Sequence, residues 1–279
     1  MNYQEGSITV GVGHTLYYLA CLPIEWRKGV VQIVHGYAEH SGRYENVLNK
    51  LVPAGYAVYV MDLYGHGKSD GDRGHVDSYT DFIRDQLQMN DVIREKEGFD
   101  TPIFMLGHSL GAMIATHYAA IHQATLDGLI LSGAGTNYPD LTMGKAVLAA
   151  SLSKATPKRM VTAVFPSDRL SNDPEVVKAF QDDPLVFAGK MSLGLMEAMR
   201  KLSAGMAKAA EKLTLPILIQ KGSDDRVVLG AEELFVGLAH CRDKTYKMYE
   251  GLKHEVYNEI EVKREQVLDD LLEWLDSHI

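Results

Sequence analysis

The stretch Ile103-Phe104-Met105-Leu106-Gly107-His108-Ser109-Leu110-Gly111 decides the fold of this 279-residue chain. Its first four residues read as a buried apolar strand, and Leu110–His122 reads as an amphipathic helix. Glycines 107 and 111 flank the serine where strand turns into helix, which is the G-x-S-x-G nucleophile elbow in the context the motif requires. In so sharp a turn neighbouring side chains collide, and glycine removes them. Ser109 is then held strained, with its hydroxyl clear of the sheet, and the helix N-terminus beneath it offers N–H groups to a developing oxyanion.

The pattern repeats on either side of the elbow. Apolar runs at Gly29–Val34, Tyr56–Met61, Leu129–Leu131, Ile217–Gln220 and Thr245–Tyr249 each lead into a loop rich in glycine or polar residues. Helical stretches lie between them at about Tyr44–Leu51, Tyr79–Lys96, Ala231–Ala239 and Val256–Leu275. Strands buried on both faces and alternating with helices predict right-handed βαβ crossovers and an α/β fold with a mainly parallel, doubly wound sheet. The opening runs Ser7–Val10 and His14–Leu22, joined through Gly11-Val12-Gly13, predict an antiparallel hairpin at its edge. Between Gly135 and Leu215 no strand is expected, only helix-like stretches broken at Pro157, Pro166, Pro174 and Pro184. So long a connection predicts an insertion, giving a core of residues 1–135 and 213–279 and a helical cap or lid of residues 136–212.

Composition narrows the class. Acidic residues outnumber basic ones by 37 to 28, a formal charge of −9, which argues against nucleic acid as a partner. With 46% hydrophobic and 23% charged residues the chain has material for a sizeable core, which excludes disorder as its main state. No apolar run approaches the roughly 18 residues of a membrane span. No basic, then apolar, leader opens the sequence, so the expectation is a cytoplasmic globular protein with no obligatory protein partner. Cys21 and Cys241 read as reduced packing residues outside any Cys/His cluster, and neither a metal nor a cofactor is expected.

A serine hydroxyl needs a base, and in this elbow class the chain order is Ser, then Asp or Glu, then His. Only His240, His254 and His278 follow the plausible acids. His278 is penultimate, and His240 closes a helix, where a cation beside the last carbonyls is the plainer reading. His254 follows the last strand at the edge where Ser109 sits, so it is the expected base. The acid should leave the strand Ile217–Gln220 in the same direction, where Asp224 and Asp225 are adjacent candidates that residue chemistry alone does not separate. The oxyanion donors are the N–H of Leu110 and, from the loop His35-Gly36-Tyr37, the N–H of Tyr37. His35, His66 and His75 read as structural hydrogen-bonding histidines.

These residues resemble the monoacylglycerol lipase and lysophospholipase branch of the α/β-hydrolases over nearly the whole chain. His35-Gly36, followed by Glu39-His40-Ser41-Gly42-Arg43-Tyr44, is similar to that branch's H-G-x-x-E-H-S-x-R-Y segment. Asp62-x-x-Gly65-His66-Gly67-x-Ser69 is similar to its D-x-x-G-H-G-x-S turn, and the elbow to its G-H-S-M-G, with Leu110 for methionine. Gly222-Ser223-x-Asp225-Arg226 and Tyr249-Glu250-Gly251-x-x-His254 resemble the segments that carry the branch's acid and base, which selects Asp225 over Asp224.

The resemblance implies a serine hydrolase of single-chain lipid esters, acting on monoacylglycerol or lysophospholipid through an acyl-enzyme on Ser109. Alternatives are a short-chain carboxylesterase or related aminopeptidase with the same triad, and a non-catalytic ligand-binding protein that retains the fold. Residues 136–212 carry 11 basic against 8 acidic side chains, leaving −12 for the rest of the chain. They also hold six of the twelve methionines: Met143, Met160, Met191, Met196, Met199 and Met206. Methionine suits surfaces that accept variable apolar shapes, here an acyl chain. From Leu141 to Phe165 the only charges are Lys145, Lys154, Lys158 and Arg159. Such a stretch either contacts an anionic membrane surface transiently or is an ordinary lid with a solvated face.

Overall fold

The computed structural model describes residues 1–11, 13–139, 155–163 and 166–279. Along the chain these form β1 (Asn2–Val10), β2 (His14–Leu22), β3 (Gly29–Val34), α1 (Glu45–Leu51), β4 (Tyr56–Met61) and α2 (Tyr79–Glu97). Next come β5 (Ile103–His108), α3 (Leu110–His122), β6 (Gly128–Ser132), β7 (Met160–Ala163), α4 (Pro174–Asp182), β8 (Gly189–Ser192) and α5 (Leu193–Ala210). The chain closes with β9 (Ile217–Gly222), α6 (Ala231–Gly237), β10 (Lys244–Tyr249) and α7 (Glu261–Asp276).

Eight strands make one sheet in the order β1-β2-β4-β3-β5-β6-β9-β10. The pairs β1–β2 and β2–β4 are antiparallel, and from β4 across to β10 every pairing is parallel. Strands β3, β4, β5, β6 and β9 are buried at every residue because helices cover both faces. Side-chain alternation divides them between two cores. Val30, Ile103 and Met105 pack with Met89 of α2, Ile114 of α3 and Leu202 of α5. Val31, Phe104 and Leu106 pack with Leu48 of α1 and Leu268 and Trp274 of α7. The carboxyl ends of β3, β5, β6 and β9 therefore open on one rim, where the connecting loops meet.

Three expectations change. β7 and β8 form a separate two-stranded antiparallel sheet inside the segment read as strandless. Each has only four residues, and its partner lies more than two dozen residues away, so no hairpin signal exists. The last helix begins at Glu261, after a 3-10 turn at Val256–Asn258. Glu259 interrupts it, because its fully buried carboxylate accepts from the amides of Lys253 (2.7 Å) and Asn172 (3.0 Å). Finally, Met191, Met199 and Met206 are buried in the first core and Met196 packs against it, so these four fill space among the helices. Met160 is exposed, while Met143, Lys145 and Lys154 lie outside the described residues. No described helix is long and apolar enough to cross a membrane.

Candidate active site

Ser109 sits between β5 and α3 with φ 53° and ψ −114°, held there by its amide bonding the Ser132 carbonyl at 3.0 Å. Apart from glycines, only it and Ala38 adopt positive φ among the described residues. Strain confined to two positions on one rim marks a functional site. A Cβ at Gly107 would strike the backbone of Gly111 and Ala112, and one at Gly111 would strike the Val34 carbonyl, so neither glycine can be replaced without moving the elbow. Ser109 remains partly exposed while its neighbours His108 and Leu110 are buried.

His254 follows the turn after β10 and is 1% exposed, its ring 4.8 Å from that of His108. Its Nδ1 is 2.9 Å from Asp225 Oδ2. Its Nε2 is buried and has no hydrogen-bond partner among the described residues, which leaves that nitrogen to receive a proton. Asp225 accepts further bonds from Lys221 Nζ (2.7 Å) and the amides of Val227 (2.8 Å) and Val228 (3.1 Å). Burial alone would raise its pKa, but His254 and Lys221 outweigh burial and hold it well below the usual carboxylate range. Asp225 is thus an ionised partner for the His254 imidazole. Asp224 faces the other way and is exposed, its amide tied to the Leu252 carbonyl at 2.9 Å.

The remaining expected donors lie on the same rim. Leu110 is the first residue of α3, where backbone N–H groups have no acceptor within the helix. Tyr37 follows the Gly36 turn after β3 and precedes the strained Ala38; its hydroxyl bonds the Lys190 carbonyl (3.3 Å) and its ring meets Phe187 edge-on. The loop read as the source of an oxyanion donor is thereby pinned by the β8 region. His35 bonds the Gly36 carbonyl and the Leu63 amide (2.8 and 2.9 Å), His66 the Tyr64 carbonyl (3.0 Å), and His75 the Ser192 hydroxyl (2.8 Å). His240 is exposed, and His278 stacks on Trp274 away from the rim.

Two groups of residues beside the site carried no role in the sequence reading. Lys221 is one, visible only as an i,i+4 neighbour of Asp225. The other is the buried set Glu39, Arg43, His108 and Glu255. Ligand atoms of Glu39, His108 and Glu255 lie within 4.8 Å of one another, the only such metal-competent grouping among the described residues. Arg43 already bonds both Glu255 oxygens there, so an added cation would face a guanidinium, and the arrangement does not suit a metal.

Burial around the rim also sets how stability depends on pH. It drives His35 down to about 4, and His66 and His108 well below the usual 6.5, so all three are neutral when folded. Burial pushes Glu39 up to about 8 and Asp85 up to about 7. Below about pH 6.5 the unfolded chain binds histidine protons that the folded protein does not, so that contribution is lost as pH falls. Above about 4.5 the folded protein keeps carboxyl protons the unfolded chain has released, so that contribution is lost as pH rises through 7 and 8. Where the two sets overlap, the lowered histidines, His117 among them, outnumber the two carboxyls, so stability falls toward acid. Melting curves between pH 5 and 9 are expected to show a Tm maximum near pH 6.5. A Tm rising steadily into the alkaline range would contradict the neutral Glu39 and Asp85.

A family described as serine aminopeptidase, S33, matches residues 26–261 of this chain. A monoacylglycerol lipase from Mycolicibacterium smegmatis is 37% identical over 253 residues, covering 90% of this chain and 89% of that protein. Among solved structures, a monoacylglycerol lipase from Paleococcus ferrophilus matches with a TM-score of 0.84 at 31% identity, over 95% of this chain and 99% of that one. A thermostable carboxyl esterase from Bacillus coagulans, in complex with glycerol, matches with a TM-score of 0.89 at 27% identity, over 100% of this chain and 99% of that one.

Proposed function

This chain belongs to the serine aminopeptidase S33 family of α/β-hydrolases and is a serine ester hydrolase, and we propose that it releases fatty acid from monoacylglycerol through an acyl-enzyme on Ser109. The observation that carries the assignment of residues is the buried His254–Asp225 pair, 2.9 Å apart, with His254 Nε2 left unbonded beside the elbow. Ser109 Oγ attacks the ester carbonyl as His254 Nε2 takes its proton. Asp225 holds the proton on Nδ1 and stabilises the imidazolium. The Tyr37 and Leu110 N–H groups receive the oxyanion. His254 then returns its proton to the leaving glycerol oxygen. Water, activated by the same nitrogen, attacks the acyl-enzyme, and the fatty acid leaves.

Residues 136–212 are assigned the choice of substrate, over a core of 1–135 and 213–279. Helix α5, inside that segment, packs on the core through Leu195, Leu202 and Met206, so the choice falls chiefly to the part before it. Exposed Arg159 and Lys190 beside exposed Met160 support a transient contact with an anionic membrane surface, as basic and apolar side chains together favour it.

A hydrolysis panel tests the reading. Each buried CH₂ contributes about 0.8 kcal/mol, so lengthening the acyl chain from four to ten carbons offers up to roughly 5 kcal/mol, less the ordering of chain and lid. The kcat/KM on monoacylglycerols is expected to climb from short to medium chains and then level off, with a fluorophosphonate labelling Ser109. A steady fall with chain length would point to a short, closed pocket and a carboxylesterase. Turnover of an amino-acid amide in place of the esters would move the reading to a peptidase, and failure to label would point to a binding protein.

A further inference from the structure

Arg43 takes no part in the proton transfers, yet it touches three elements that the reaction needs. Its Nη2 donates to both oxygens of Glu255, at 2.9 and 2.7 Å, and Glu255 is the residue after His254. Its Nε lies 3.9 Å from Glu39 Oε2, and Glu39 Oε1 lies 3.7 Å from Nε2 of His108, the residue before Ser109. The Glu39 carboxyl fills the space that a Cβ on Gly36 would need, so it forms the floor under the peptide leading into Tyr37. The third contact is with α4, where the guanidinium carbon sits 4.8 Å from the centre of the Phe180 ring.

The surroundings fit a clamp and leave no room for a ligand. The residual cavity bounded by Glu39, Arg43, Tyr44, His108 and Glu255 measures about 10 Å³, at most one water. Phe180 is 2% exposed, and just beyond α4 Asp183 pairs with His40 Nε2 at 2.8 Å, on the same loop as Glu39. The turn before α4 reaches the base as well, because the Glu255 amide bonds the Leu170 carbonyl at 2.8 Å.

Resting on the roles assigned above to Ser109, His254 and the Tyr37 amide, we propose that Arg43 is a positioning residue. It locks the base loop and the oxyanion loop into one unit and ties that unit to α4 through Phe180. The seating of α4 over the rim thereby sets the geometry of the reacting groups. A guanidinium serves here because its Nη2 reaches both Glu255 oxygens while its flat face meets the Phe180 ring, and a lysine offers no such face.

The test uses Arg43→Lys, Phe180→Leu and the double variant, with p-nitrophenyl butyrate as a soluble substrate and phenylboronic acid as a tetrahedral mimic. Misplacement of reacting groups by about 1 Å costs on the order of 100-fold, so Arg43→Lys is expected to lower kcat by about 10- to 100-fold with KM within about twofold. Boronate affinity should fall by a similar factor, since both depend on the aligned oxyanion loop. Phe180→Leu is expected to lower kcat about threefold to tenfold, and the double variant to fall no further than Arg43→Lys, as linked residues are non-additive. Unchanged kcat in a folded Arg43→Lys, a rise in KM with unchanged boronate affinity, or fully additive losses would each overturn the proposal. Should Arg43→Lys fail to fold, Phe180→Leu decides alone: full kcat and boronate affinity overturn the clamp, and parallel losses support it. A wild-type protein inactive on the ester would instead overturn the functional reading, a result distinct from equal activity of wild type and variants.

Discussion

Ser109→Ala and His254→Ala are each expected to lower kcat by several orders of magnitude, on the order of 10⁶ if they behave as serine-protease triad members do. The two losses should not add, because the serine without its base and the base without its serine are equally idle. What remains should be the modest catalysis of the oxyanion donors and substrate binding. Ser109 is partly exposed, so its alanine variant should melt near the wild type. His254 is buried with a bond to Asp225, and its removal leaves that carboxylate with Lys221 and two amides, enough to keep it satisfied. The measurement is kcat on a soluble ester, with a melting curve for each variant. Retention of more than about a tenth of wild-type activity by either would remove that residue from the mechanism.

Asp225→Asn is expected to cost about 10⁴ in kcat, the effect seen when a triad aspartate is amidated in a serine protease. An amide at 225 can donate to Nδ1, which moves the imidazole proton to Nε2 and leaves nothing to accept from Ser109. It also removes the charge facing buried Lys221, which would keep only the Val228 carbonyl. Breaking a buried pair in this way costs about 3–5 kcal/mol of stability. Activity should therefore be expressed per folded molecule, counted by near-UV circular dichroism. Asp224→Asn should cost less than about tenfold and leave Tm within a degree or two, since an exposed loop carboxylate contributes little. The reverse ranking would transfer the orienting role to Asp224.

Those adjacent aspartates show how far local pattern reaches. Residue chemistry could not separate them, because neighbouring side chains leave a turn in different directions and the path of the turn is not a local property. It is set by contacts with the β10 loop, where the Asp224 amide meets the Leu252 carbonyl and a Cβ at Gly222 would strike the backbone of Leu252 and Lys253. The elbow is the contrary case. Its strand, its two glycines and its helix are contiguous, so the turn is legible in residues 103–111, with Ser132 and Val34 fixing it from outside. Helix α7 lies between these extremes. Its apolar periodicity was legible, but its start was not, because Glu259 is drawn inward by amides of Asn172 and Lys253.

By itself, then, the sequence determined the alternation of buried strands with helices, the antiparallel opening hairpin, the strained turn at Ser109 and the chain order of the three proposed site residues Ser109, Asp225 and His254. Each is written within one element or one loop, where dihedral preference and burial periodicity decide the outcome. Only the tertiary structure decided the pairing of β7 with β8 and the packing of the methionines of residues 191–206 among the helices. It also decided the junction at Arg43, whose partner Glu255 is 212 residues away, and the tie between His40 and Asp183, 143 residues apart. Contacts of that range exist because parallel crossovers bring the carboxyl ends of β3, β5, β6 and β9 to one rim, and no periodicity within a segment records which loops will meet there.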